Sequence, residues 1–311
     1  MGNAMRFLNL FRRRDLWKIA IYKIEDISQI LRLDSIRPLR VFGEEGIRFN
    51  LDYQSTNADP FLFLHNDFLY LFYEVKLDHD HGEIWASRLS HDGTWFSLGC
   101  VLREQFHLAY PQVFESDGEI YMIPDAADSG KVLLYHALDF PTKWSVTSVI
   151  INEGLSDPTI YKSSDGNFYL FGTTRLSELK LYYSESIKNI FIDTGIVITR
   201  DRLSCRGAGN IVTIDGVRYR PAQDCRKVYG KKIYMYRIDE LSQNKYSETI
   251  VESELLQNVP FWATKGYHHI SVVSYGGCYY VALDGRSKDR YVNTITYGAL
   301  RLREIIKSLS S

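Results

Sequence analysis

Short apolar strands separated by two-residue polar turns recur along this chain. Residues 110–125, "YPQVFESDGEIYMIPD", read as a strand, an Asp-Gly turn and an aromatic-rich second strand. Asn-Asp, Asp-Gly and Gly-Gly dipeptides between such strands predict tight β-hairpins, because these turns need positive φ angles. Four more copies of the unit occur: "ADPFLFLHNDFLYLFYE" (58–74), "DPTIYKSSDGNFYLFGT" (157–173), "GNIVTIDGVRYRPAQ" (209–223) and "HISVVSYGGCYYVALD" (269–284).

The hairpins repeat at a spacing of roughly 50 residues, and two more strand patterns follow each of the first four. The segments "GEIWASRLS" and "WFSLGCVL" are the pair that follows the first hairpin. Four strands at this spacing are typical of propeller blades. Five copies therefore predict an all-β, five-bladed β-propeller with four-stranded blades. The competing architecture is a large β-sandwich, but sandwiches do not repeat at a fixed period.

The two ends of the chain fall outside the repeat. We predict an N-terminal, partly helical extension over residues 1–35, the propeller over 36–296 and a C-terminal helix over 297–311. In that last segment Leu302, Ile305, Ile306 and Leu309 share one helical face, which favours packing of the helix on the propeller. Binding of a partner through this helix is the alternative.

The N-terminal segment also bears on partners and location. Apolar residues 7–11 adjoin three arginines, Arg12 to Arg14, so peripheral membrane contact is an alternative to packing on the domain. No apolar run reaches the length of a membrane span or a signal peptide. The four cysteines form no CxxC pair, which is typical of reduced thiols. We predict a cytoplasmic protein, with the inner face of the membrane as an alternative.

Charge and composition narrow the function classes. The net charge of −1 provides no global field for nucleic acid, so no nucleic-acid partner is expected. No segment has the spacing of a metal-ligand motif, so we predict neither a metal nor a cofactor. Aromatic residues make up 14% of the chain, an excess that suits the pleated surfaces of strands.

Candidate chemistry lies at the start and end of each hairpin. In a closed propeller the inner strands begin around one mouth, so residues at matching places come together. The entrance positions are Asp59, Tyr110, Asp157, Arg206, and His268 or His269. The positions that end the second strands are Glu74, Asp125, Thr173, Gln223 and Asp284.

Each of these residues also has a plain structural interpretation. An Asp before Pro often only starts a turn, but Asp59 and Asp157 occupy matching places in different repeats, which favours a site. Tyr110 and Trp262 are candidate platforms for sugar stacking. Their alternative role is aromatic packing between blades.

Several of these segments resemble known families. "ADPFLF", "DPTIYKSSDGNFYLFGTT" and "YHHISVV" look like blades of the five-bladed glycoside hydrolase family 43. "YPQVFE", "YMIPD" and "RPAQD", which contains Arg220, Gln223 and Asp224, are more closely similar to the N-terminal domain of plant glucosamine inositolphosphorylceramide transferase and its bacterial relatives. The similarity covers about residues 40 to 290. It implies the five-bladed fold and a carbohydrate ligand.

The resemblance to family 43 also implies roles for particular residues. Asp59 matches the general base, and Asp157 matches the aspartate that tunes the pKa of the acid and orients substrate. The glutamate that serves as general acid has no counterpart, because "LSCRGAGNIV", residues 203–212, contains no carboxylate. Arg206 is the nearest charged residue, and arginine cannot donate a proton at neutral pH. Hydrolysis by the family mechanism, which needs a protonated carboxyl, is therefore not expected.

Two functions of different class remain in view. The first is glycosyl transfer or cleavage in surface-glycan assembly, with Asp59 as base and with Arg206, Arg220 or His268 holding the leaving phosphate of a sugar nucleotide. The second is a glycan-binding module that has lost the general acid. A protein-binding scaffold is the third hypothesis. It would need an apolar mouth, whereas the predicted mouth is polar.

Overall fold

The computed structural model describes residues 16–43, 54–77, 81–256 and 258–287. In this part of the chain the strands form five antiparallel sheets, and each sheet contains a path of four strands. The predicted five-bladed propeller with four-stranded blades is confirmed.

The first two blades follow the chain in simple order from the axis outward. Blade one contains β3 (Gln54–His65), β4 (Phe68–Leu77), β5 (Gly82–Leu89) and β6 (Trp95–Leu102). Blade two contains β7 (Ala109–Ser116), β8 (Glu119–Asp125), β9 (Val132–Asp139) and β10 (Lys143–Ile151).

Blades three and four follow the same order, but the inner strand of blade four is broken. Blade three contains β11 (Ser156–Lys162), β12 (Phe168–Thr173), β13 (Leu179–Ser184) and β14 (Ile192–Thr199). Blade four contains β15 (Arg206–Gly207), β16 (Val212–Ile214), β17 (Val217–Gln223), β18 (Ile233–Leu241) and β19 (Tyr246–Glu254). Both β15 and β16 pair with β17.

Blade five joins the two ends of the described chain. Its inner strands are β20 (Ile270–Tyr275) and β21 (Cys278–Ser287). The sheet is completed by β1 (Leu16–Ile24) and β2 (Arg40–Phe42), and β1 pairs with β21 over its whole length. The N-terminal strand therefore closes the ring of blades.

The prediction of helical segments at the ends is wrong for the part that the structure describes. Leu16–Ile24 is a strand, and among the described residues 16–35 the only helical turn is a 3-10 helix at Ile27–Arg32. A second 3-10 turn covers Ala127–Ser129. Burial of most of β1, with four consecutive buried residues, and its hydrogen bonds to β21 outweigh local helix propensity in this segment. The predicted C-terminal helix over 297–311 lies outside the described residues.

The core consists of aromatic and aliphatic layers between neighbouring blades. One layer packs Phe72 and Ile84 of blade one against Met122 and Tyr135 of blade two. Another joins blades four and five through Tyr22 and Trp262, whose indole Nε1 donates to the Tyr22 hydroxyl at 2.7 Å. Trp262 is therefore a packing residue between blades and not a platform at the mouth.

Candidate functional site

Three blades begin with the same unusual backbone feature. The pairing of the two inner strands shifts between Ala58 and Phe61, and equivalent shifts occur in blades two and three. Asp59, Tyr110 and Asp157 lie in these bulges with φ angles of 52°, 50° and 50°. Non-glycine residues pay about 1 to 3 kcal/mol for such conformations, which are concentrated at functional sites. The bulges turn the three side chains into one buried region.

Asp284, at the end of the second strand of blade five, organises the centre of this region. It is fully buried, and its carboxylate accepts hydrogen bonds from the backbone N–H groups of Asp59 (2.9 Å), His268 (3.1 Å) and His269 (2.9 Å). The Nδ1 of His268 lies 2.7 Å from a carboxylate oxygen of Asp284. Burial acts to raise the pKa of Asp284, but His268 and these hydrogen bonds lower it overall.

His268 connects Asp284 to Asp59. Because Nδ1 donates to Asp284, the other ring nitrogen faces away, and Nε2 lies 3.8 Å from Oδ1 of Asp59. Burial opposes the charged ring, but the charge and hydrogen bond of Asp284 raise the pKa of His268. Burial raises the pKa of Asp59 well above its usual range, and His268 opposes this. The charges of the two side chains are therefore coupled, because each favours the ionised form of the other.

Asp157 and Arg206 form the second polar group of the mouth. The Arg206 guanidinium donates from Nε and Nη2 to the two oxygens of Asp157, at 2.5 and 3.1 Å. Gln223 donates to the same carboxylate at 3.1 Å and to the Gly207 carbonyl at 2.8 Å. The Asp157 side chain is buried, whereas that of Arg206 is 27% exposed. The arginine therefore presents its remaining edge to the mouth.

Glu74 and Asp125 extend the cluster of carboxylates. Burial raises the pKa of Glu74 to about 8 and that of Asp125 to about 6. Nδ1 of His107 accepts from the N–H of Gly82 at 2.8 Å, which places the ring proton on Nε2, 3.5 Å from Glu74. Asp125 accepts from the N–H of Ala127 at 2.9 Å and of Asp157 at 3.1 Å.

Tyr110 and His269 lie beneath the mouth. The fully buried Tyr110 hydroxyl lies 2.8 Å from Thr159 Oγ1, donates to the Gly209 carbonyl and accepts from the Gly209 N–H. His269 is also fully buried, and its ring contacts Phe61 and Tyr110 edge-on. Burial lowers the pKa of His269 to about 3. Both rings pack in the structure and are not platforms for sugar stacking.

Arg220 and Asp224 are committed to other partners. Arg220 donates from Nε and Nη2 to Glu248 on β19, at 2.8 and 2.6 Å, and from Nη1 to the Ser204 carbonyl. Asp224 accepts from the guanidinium of Arg226 at 3.1 and 3.0 Å. The structure therefore does not bring either side chain into the cluster with Asp59 and Asp157.

Two aromatic residues at the mouth were missed by the sequence analysis. Trp17 of β1 stacks on His268 with the ring centroids 4.1 Å apart. Tyr229, in the β17–β18 connection, meets His268 edge-on at 5.2 Å and lies 5.8 Å from the Arg206 guanidinium. Tyr229 is 44% exposed, so its ring can contact a ligand. Neither residue belongs to the hairpin repeat, which was the only signal used.

Asp59, His268 and Asp284 also meet a distance criterion for a metal site. One ligand atom from each lies within 4.8 Å of the others. The hydrogen bond between His268 and Asp284 already occupies one of the two ring nitrogens, so a cation could use only Nε2 without breaking that bond. The sequence-based expectation of no metal stays a prediction.

The five-bladed fold, together with buried carboxylates and aromatic rings around one mouth, defines a β-propeller with a polar site at its axis. A family model described as "Glucosamine inositolphosphorylceramide transferase 1, N-terminal" matches residues 50–286. The chain belongs to this family, which confirms the resemblance seen in the sequence motifs.

Curated relatives support the same assignment. The chain is 34% identical over 228 residues to glucosamine inositolphosphorylceramide transferase 1 of Oryza sativa subsp. japonica, and the match covers 68% of this chain and 30% of the relative. The protein of the same name from Arabidopsis thaliana is 34% identical over 230 residues, with 69% and 30% covered. The chain therefore spans about a third of the length of these relatives.

Solved structures share the fold at low sequence identity. An α-L-arabinofuranosidase from Clostridium thermocellum superimposes with a TM-score of 0.56 at 15% identity, covering 73% of this chain and 82% of that enzyme. A β-xylosidase gives a TM-score of 0.54 at 15% identity, with 76% and 93% covered. These likenesses support the propeller fold and extend to the fold alone. Among the described residues, no helix has the length and apolar character needed to cross a bilayer.

Proposed function

We propose that the mouth of this propeller binds a carbohydrate and catalyses glycosyl transfer, with Asp59 as the proton acceptor. The observation that carries this proposal is the arrangement of Asp284, His268 and Asp59. The Nδ1 of His268 is 2.7 Å from Asp284, and its Nε2 is 3.8 Å from Asp59. A carboxylate with a raised pKa beside an oriented imidazole is suited to proton transfer near neutral pH.

In this reaction the acceptor hydroxyl attacks the anomeric carbon of the donor, and its proton passes to Asp59. The bond between the anomeric carbon and the leaving oxygen breaks, and the leaving group takes the electron pair. His268, positioned by Asp284, stabilises the ionised form of Asp59 before attack. A diphosphate leaving group needs no protonated carboxyl, so a sugar nucleotide is the proposed donor.

Arg206 provides the positive charge for that leaving group. Its Nε and Nη2 are bound to Asp157, but its outer edge is exposed beside Tyr229. A guanidinium fixed in this way can receive a phosphate oxygen without reorganisation. All four cysteines are free thiols, which supports the proposed cytoplasmic location, where sugar nucleotides are available. Contact with the membrane through the N-terminal basic segment remains part of the proposal.

A non-catalytic glycan-binding module is the second candidate. One observation favours it, namely that Arg206 forms an ion pair with the buried Asp157 and so neutralises its charge. Such a pair can hold sugar hydroxyls and stabilise the fold without any chemistry. The relatives are named glucosamine inositolphosphorylceramide transferase 1, but the matched segment is only part of those proteins.

A thermal-shift screen separates the candidates, because a ligand that binds only the folded state raises its stability. The full chain is heated with UDP-sugars, free monosaccharides and neutral oligosaccharides. Stabilisation by a UDP-sugar that is lost in Arg206→Ala, together with transfer that is lost in Asp59→Asn, is the expected result. The control is Asp117→Asn, a change in a hairpin turn. Oligosaccharide binding with no turnover would identify a binding module, and turnover unaffected by Asp59→Asn would overturn the assignment of the base.

A further inference from the structure

A cleft opens on the mouth face between blades two and three, separate from the carboxylate cluster. Its volume is about 350 Å³, which falls in the range of about 300 to 1,000 Å³ usual for ligand sites. Three connections line it: β8–β9, β10–β11 and β12–β13. These connections lie at the end of the blades where the inner strands begin. The cleft therefore lies on the same face of the propeller as the mouth.

The β12–β13 connection forms one wall of the cleft and is tightly closed. The N–H of Thr174 donates to the Glu178 carbonyl at 2.9 Å, and the N–H of Ser177 donates to the Thr174 carbonyl at 2.9 Å. At the tip of this loop Leu176 is 81% exposed. Leu176 also lines the cleft, so it offers an apolar surface to a ligand there.

The opposite wall contains no side chain at Gly154. A Cβ built there would lie 2.3 Å from the carbonyl oxygen of Ala127. Only glycine allows the β8–β9 and β10–β11 connections to approach this closely. Their packing fixes the floor of the cleft, so that its shape does not depend on a ligand.

The charged side chains of the cleft are positioned to form hydrogen bonds with the hydroxyl groups of a sugar. Glu153 is held by the Tyr182 hydroxyl at 3.0 Å, and Glu178 is held by Arg200 at 2.7 Å. Each carboxylate still has a free oxygen to accept a hydrogen bond. Lys180 is paired with Asp193. Within the described chain, no hydrogen bond or ion pair engages the guanidinium of Arg175, although it lines the same cleft.

We propose that this cleft is a second carbohydrate subsite, which holds a neutral sugar residue of a glycan that extends into the mouth. The ring would pack against Leu176, and its hydroxyls would bind Arg175, Glu153 and Glu178. The lining has two acidic and two basic side chains, so a phosphate or uronate would meet two carboxylates. The inference rests on the proposed function and makes the acceptor an oligosaccharide.

Binding to a printed array of neutral oligosaccharides tests this, with their component monosaccharides and their phosphorylated and uronic counterparts on the same array. Affinity for the best oligosaccharide should fall about tenfold in Arg175→Ala, the loss expected for one charge-assisted hydrogen bond. Leu176→Ala should also lower the affinity for this oligosaccharide, but by a smaller factor. The preference for oligosaccharide over monosaccharide should fall in both variants.

Matched controls lie outside the lining of the cleft. Leu138 is 67% exposed at the far end of blade two, and Arg237 is paired with Asp239 on blade four. Leu138→Ala and Arg237→Ala should bind like the parent chain. If oligosaccharide binding is unchanged in Arg175→Ala and Leu176→Ala, the second subsite is refuted while the proposed function stands. Preference for a phosphorylated or uronic glycan also refutes the neutral ligand, and no glycan binding at all overturns both proposals.

Discussion

Arg206 and Asp157 form a two-point ion pair at the mouth of the propeller. The guanidinium donates through Nε and Nη2, and the aspartate is almost completely buried. The pair holds a permanent positive charge beside a buried carboxylate. It also ties the inner strand of blade three to the broken inner strand of blade four.

Loss of Arg206 should therefore destabilise the fold as well as remove ligand contacts. Arg206→Ala leaves Asp157 buried without its counter-charge, and breaking a buried pair costs about 3 to 5 kcal/mol. Because the Arg206 side chain is 27% exposed, solvent reduces the expected loss to about 2 to 3 kcal/mol. Urea unfolding at neutral pH measures this difference.

The matched comparison is the exposed pair of Arg237 and Asp239. Arg237→Ala should cost less than about 1 kcal/mol, as is usual for surface pairs. The double variant Arg206→Leu with Asp157→Asn should recover part of the stability, because no uncompensated charge remains. Equal losses in Arg206→Ala and Arg237→Ala would contradict the burial of this ion pair.

The hairpin repeat predicted the blades because Asp-Gly and Gly-Gly turns constrain the chain locally. The repeat could not predict that β1 closes the ring. The two paired strands, β1 and β21, are far apart in the sequence, so no local pattern links them. Trp17 was missed for the same reason, because only the pairing of β1 with β21 brings it next to His268. Arg220 was assigned to the mouth with Gln223, but residues three apart on a strand face opposite sides of the sheet. Gln223 binds Asp157 and Arg220 binds Glu248.

Glu74 should make the stability of the protein depend on pH. Burial raises its pKa from 4.5 to about 8, and Lys76 only partly opposes this. Because the folded state favours the protonated form, the stabilisation is fully present below pH 4.5 and is lost as the pH rises through 8. Relative to Glu74→Gln, the parent chain should lose unfolding free energy across this window.

Denaturant unfolding at several pH values, for the parent chain and for Glu74→Gln, measures this dependence. Glu185→Gln, on the exposed edge after β13, controls for the loss of one negative charge. A constant difference in unfolding free energy between the parent chain and Glu74→Gln would show that the Glu74 carboxyl is not buried as described.

The Tyr110 hydroxyl should contribute to stability and not to ligand binding. It lies 2.8 Å from Thr159 Oγ1 and exchanges two hydrogen bonds with Gly209. Tyr110→Phe leaves the N–H and the carbonyl of Gly209 without this partner, so a loss of about 1 to 3 kcal/mol is expected. Thermal unfolding checks this against Tyr275→Phe, whose hydroxyl donates to the Asp67 carbonyl at an exposed position. A Tyr110→Phe variant of parent stability but weakened glycan affinity would reverse this assignment.

The left-handed backbone conformation at Asp59 should lower the stability of the fold while it positions the side chain in the site. Asp59 has a φ angle of 52°, and its buried carboxyl faces other carboxylates. Glycine adopts this conformation freely, whereas alanine does not. Asp59→Gly should be about 1 kcal/mol more stable than Asp59→Ala. Both variants should lose transfer activity.

Asp157 provides the contrast, because it has the same backbone conformation, with a φ angle of 50°, but also holds Arg206 and Gln223. Asp157→Gly relieves the same strain and breaks the ion pair, so it should be less stable than the parent chain. Asp59→Gly loses only the longer contact with His268, at 3.8 Å, and should stay near or above parent stability. Chemical unfolding of the two glycine variants side by side decides the point. If both were destabilised to the same extent, the carboxyl of Asp59 would be a structural group and not the proton acceptor that the mouth provides.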